Sequence, residues 1–105
     1  MNSKLSVLIA LKIINQSDED NALYLSFEGG YRLCIESKYF LLKDNFYFKG
    51  NIIGNNFVRI IELKDKTEFL LQNDIKLIID MSDCGYNTPE AVILGYPDGS
   101  IIVWN

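Results

Sequence analysis

Three carboxylates, Asp80, Asp83 and Glu90, lie in or beside the turn-like stretch Met-Ser-Asp-Cys-Gly-Tyr-Asn-Thr-Pro-Glu at positions 81–90. Carboxylates brought together by folding can divide acid and base roles in hydrolysis, or hold a divalent cation. Their spacing is not that of a calcium loop, however, and Asp, Gly, Asn and Pro are equally the residues that a long solvated turn requires. Little other chemistry is on offer. The absence of histidine removes the commonest general base, the Ser-His and Cys-His nucleophile pairs and most zinc sites. Cys34 and Cys84 cannot form a Cys-x-x-Cys site and read as reduced thiols of a cytosolic protein. Gly29-Gly30 leads into a strand pattern rather than a helix, so it presents no helix N-terminus to a phosphate. The expectation is a protein that is not an enzyme and carries no metal or cofactor.

The same residues suit a contact surface better. Asp80, Asp83, Tyr86 and Glu90, joined by Trp104, would combine aromatic anchors with charges that steer a partner, although capping the core is the commoner role for a residue such as Trp104. A formal net charge of −4 and a pI near 4.6 speak against nucleic acid and anionic membranes, which call for a basic face. An acidic chain is suited instead to a basic protein partner. The run Asp18-Glu19-Asp20 reads as a solvated loop.

The elements that must position these residues are strands. In Leu23–Glu36 apolar residues alternate on both sides of Gly29-Gly30: Leu23, Leu25 and Phe27 before the turn, Tyr31, Leu33 and Ile35 after it. Alternation of period two around such a turn predicts a β-hairpin. Leu5, Val7, Ile9, Leu11 and Ile13 predict a first strand over 5–14, with Asn15–Asn21 as a polar turn. Lys38–Gly50 predicts another strand pair turning at Asp44-Asn45. Its Phe46-Tyr47-Phe48 triplet places one aromatic opposite the other two, so that both faces are covered or Tyr47 is a contact residue. Covering is the commoner outcome for side chains of this size. Pro97 fits the first central position of a type I turn, with Gly99 in the left-handed position, between strands over 91–96 and 100–104. The stretch Val58–Gln72 could also be helical, being rich in Glu and Lys.

A second copy of the first hairpin sits further along. Shifted by 75 − 31 = 44 positions, Tyr31 meets Ile75, Leu25 meets Phe69, Leu33 meets Leu77, and the acidic Glu36 meets Asp80. The fold expected is therefore all-β: an antiparallel meander of hairpins with an internal duplication (about 5–50 and 57–105), forming a small sandwich or a partly open barrel as one domain over 1–105. Lys4 and the short apolar run after it are not expected to be a secretion signal, because Lys12 interrupts the run and acidic residues occupy the place of a cleavage site. The run is also far short of the roughly 20 residues that cross a bilayer. A cytoplasmic protein is expected.

The strand ending Phe-x-Gly-Gly, the Leu-x-Ile-Glu strand after it, the Ile-Lys-Leu-Ile-Ile-Asp strand, Pro89-Glu90-Ala91, Pro-Asp-Gly and Trp104 together resemble a family of small uncharacterised bacterial β domains associated with polymorphic-toxin and immunity loci. The resemblance implies an interaction protein with no active site, of immunity type, neutralising a partner toxin by surface complementarity. The alternative is a structural module that forms a strand-edge homodimer, since Leu8, Ala10 and Ile14 on the second face of the first strand need cover.

Overall fold

In the computed structural model, which describes residues 4–81 and 92–104 (Trp104 by its backbone alone), the central hairpin folds as its alternation requires. Leu23, Leu25, Phe27, Leu33 and Ile35 are buried, while Tyr24, Glu28 and Arg32 face solvent. The strands are β2 (Ala22–Phe27) and β3 (Arg32–Ile35), with Leu25 opposite Leu33. Gly29 and Gly30 both have positive φ, 83° and 90°, which glycine adopts without a Cβ clash.

Further strands are β1 (Ile13–Glu19), β4 (Tyr39–Lys43), β5 (Phe46–Tyr47), β6 (Phe57–Glu62), β7 (Lys66–Leu71), β8 (Ile75–Asp80), β9 (Val92–Gly95) and β10 (Ile101–Trp104). They form two antiparallel five-stranded sheets, ordered β1-β2-β3-β9-β10 and β5-β4-β8-β7-β6. The sheets face each other across one core and do not close into a barrel, so the sandwich is the architecture adopted. At its centre Phe57 packs between Phe27 and Phe69, at ring-centroid distances of 5.4 and 4.6 Å. Full burial of such a side chain contributes about 1.5–3 kcal/mol.

Turns follow their residues closely. Asp20-Asn21 and Asp44-Asn45 are two-residue connections with both residues at positive φ, the geometry whose twist matches paired strands. Gly99 sits at φ 92° after Pro97 and Asp98, and its N–H donates to the Tyr96 carbonyl at 3.0 Å. The helical alternative for Val58–Gln72 is replaced by β6 and β7.

The expected first strand is corrected. Residues Lys4–Leu8 form a 3-10 turn that buries Leu5 and Leu8 and exposes Val7, Ile9 after it is exposed too, and the strand runs instead over Ile13–Glu19. Apolar residues at nearly every position from 5 to 14 satisfy a period of three as well as a period of two. Asn15–Asn21 is therefore mostly an edge strand rather than a turn. Of the residues expected to need cover, Leu8 is buried in the chain's own core, while Ala10 and Ile14 are exposed.

The duplication extends into the register. Ile13 pairs with Phe27 as Phe57 pairs with Leu71, with 57 − 13 = 44 and 71 − 27 = 44, and both ladders carry a bulge at the next residue. Leu8 and Ile52, also 52 − 8 = 44 apart, are both completely buried. Ala10 and Gly54, 54 − 10 = 44 apart, both take positive φ, 71° and 91°. Raising each strand number in β1-β2-β3 by five gives β6-β7-β8, and β4-β5 likewise gives β9-β10. Each half thus contributes three strands to one sheet and crosses over to lend its last two to the other.

Candidate functional site

Such a crossing leaves a seam where the last hairpin of one half meets the edge strand of its own first sheet. There a groove of about 750 Å³ opens between β1 and the β4–β5 hairpin, lined by Gln16, Asp18, Tyr39, Phe40, Tyr47 and Phe48. Gln16 ties the groove wall to the connection that follows β5: its amide nitrogen donates to the Gly50 carbonyl at 3.2 Å and its amide oxygen accepts the Ile52 N–H at 2.7 Å. The Phe48 ring lies against Gly50 so closely that a Cβ there would stand 2.6 Å from the ring. Glycine at position 50 is what lets that ring line the groove.

Tyr39 bridges the two sheets, its hydroxyl donating to an Asp18 carboxylate oxygen at 2.7 Å. Burial, then this bond and the charge of Asp18, push the phenol up to about 12. It is therefore a protonated donor at ordinary pH. Among the described residues no three His, Cys, Asp or Glu side chains gather as a metal site.

The corner beside the groove is aromatic. Phe46 and Tyr47 are 76% and 77% exposed. The expectation that the aromatic triplet is covered is overturned, because β5 is two residues long and has β4 on one side only. The Tyr47 ring leans on Phe40 at 5.8 Å between centroids, and the Lys38 ammonium sits 5.9 Å from the Phe40 centroid, within the range of cation–π attraction. Lys43 and Lys49 are also exposed at this corner.

The residues singled out from the sequence lie elsewhere. Asp80 ends β8, half-buried; its N–H donates to the Lys38 carbonyl at 2.8 Å and its carbonyl accepts the buried Ser37 hydroxyl. Trp104 ends β10 in the other sheet, opposite Val92. Asp83, Tyr86 and Glu90, with Cys84, lie outside the described residues. Asp18 and Glu19, expected in a solvated loop, belong to β1.

Sequence reasoning passed over Gln16, Asp18, Tyr39 and Phe46. The one available signal was the triplet Phe46-Tyr47-Phe48, which cannot point wholly inward in a strand of period two. No helix among the described residues is long and apolar enough to cross a membrane. No protein-family model matches the chain, and no curated protein or solved structure shows significant similarity to it.

Proposed function

We propose that this chain is a protein-binding module that grips its partner at the aromatic corner of the β4–β5 hairpin. The observation that carries the reading is the pair of adjacent aromatic side chains, Phe46 and Tyr47, left about three-quarters exposed beside a groove of about 750 Å³. Large rigid aromatics are the side chains that anchor interfaces, and an exposed cluster of them is a recognised mark of a contact site. Asp18, Lys38, Lys43 and Lys49 rim the patch and would set register and orientation. The net charge of −4 favours the long-range approach of a basic partner, such as a toxin, whose own acidic groups would meet the rim lysines at the contact. Neutralising that toxin in the cytoplasm by surface complementarity, as an immunity-type protein does, is the narrower form of the proposal.

The test is calorimetric titration of the chain with the product of the adjacent reading frame. Binding should weaken at least about 30-fold in the F46A/Y47A variant, since truncating even one central aromatic anchor costs about 2 kcal/mol. Both side chains are exposed, so the variant keeps its fold. Absence of binding, or binding indifferent to the double substitution, rejects the reading.

A further inference from the structure

Among the described residues four strands end the two sheets, and three of them are blunted. Strand β1 carries Asp18 and Glu19 and a bulge after Ile13; β6 carries Arg59 and Glu62 and a bulge after Phe57; β5 is two residues long. Charges, bulges and shortness are the devices by which sheet edges avoid pairing with another chain. Strand β10, Ile101-Ile102-Val103-Trp104, is four residues long but has neither charge nor bulge: it is uncharged, lacks Gly and Pro, and pairs with β9 without a register shift. Among the described residues no strand pairs with its outer side.

The register states which groups that edge offers. The Tyr96 N–H donates to the Ser100 carbonyl at 2.9 Å, which marks 96 and 100 as a hydrogen-bonded pair. Antiparallel pairs alternate, so Ile102 bonds to Leu94, whereas the N–H and C=O of Ile101 and Val103 point away from β9. The side chains of those two residues are 58% and 37% exposed. They extend an outward apolar row, because Tyr24 stands opposite Cys34, Cys34 opposite Ile93, and Ile93 opposite Val103.

We propose that β10 pairs antiparallel with β10 of a second copy of this chain, about a two-fold axis at Ile102, merging two five-stranded sheets into one. In that register Ile101 of each copy faces Val103 of the other, and each such pair exchanges both of its free backbone hydrogen bonds. A second copy fits better than an unrelated strand for two reasons. A two-fold contact must present itself alike in both directions, and Ile-Ile-Val is β-branched at every position. The like charges of two acidic chains also stay apart, because Asp18, Glu19 and Asp20 sit at the β1 edge, opposite β10 across the sheet. A contact this short buries less than about 1,200 Å², so the dimer is weak and concentration-dependent.

Sedimentation of the intact chain from about 1 µM to about 500 µM tests this, since mass action makes a weak dimer visible only at the upper end. The average mass should rise from 12.0 kDa towards twice that value. The I101K/V103K variant should remain a monomer with an unchanged circular dichroism spectrum. Amide hydrogen exchange gives a readout that needs no variant: Ile101 and Val103 should become protected as concentration rises, while Ile102 is protected throughout. A wild-type mass fixed at 12.0 kDa, a dimer untouched by both lysines, or exchange at Ile101 and Val103 independent of concentration overturns the proposal.

Discussion

Tyr39 shows how much a single side chain can report about the sandwich. Its phenol is pushed up from the ordinary 10.0 to about 12, by burial first and then by the bond to Asp18 and its charge. A folded-state value above the unfolded one means that the neutral phenol is the form the fold favours. The associated stability is complete below pH 10 and is lost as pH climbs through about 12. Urea denaturation across that window should show the wild type losing more stability than Y39F, and the phenolate absorbance difference between the two proteins should titrate near the upper value. Equal losses would mean that the cross-sheet bond is not made in solution. In the central strands the buried residues were readable from alternation alone: Leu33 and Leu77 point inward as their positions require. Exposure at Phe46 and Tyr47 was not, because it depends on whether another strand lies alongside.

Hairpins are the elements this sequence specifies most clearly. Asp44-Asn45 and Pro97-Asp98-Gly99 dictate their turns through residues that tolerate positive φ or preset negative φ. The N-terminal stretch misleads because its apolar residues suit two periods, and only the neighbouring strand decides between them. The internal repeat supplies an engineering test at this level. Ala10 takes φ 71° at the position where the second half has Gly54 at 91°, and a Cβ in that region is strained. Ala10→Gly should raise stability by about 0.5–1 kcal/mol, the left-handed penalty less the added chain entropy of glycine; a urea midpoint that falls instead would show that the entropy term dominates.

For the whole molecule the crossing of the halves matters most. Each sheet takes three strands from one half and two from the other, so neither half can cover its own apolar face. Fragments 1–50 and 51–105 should each lack a β-sheet circular dichroism signal alone. Mixed in equal amounts, they should recover that signal and a cooperative thermal transition. A half that folds by itself would make the repeats domains rather than interlocked partners.

The order of residues along the chain was enough to establish an all-β fold, most hairpin turns, the inward face of each central strand and the 44-residue correspondence of the halves (75 − 31 = 44). These properties follow from contacts between near neighbours, through the period-two pleat and the backbone preferences of Gly, Pro, Asn and Asp. The pairing of β3 with β9 and of β4 with β8, and with it the seam that lifts Phe46 and Tyr47 into solvent, came only with the assembled sandwich. Sheet membership is settled by how two distant apolar faces bury each other, a competition between whole ribbons that no local stretch of sequence records.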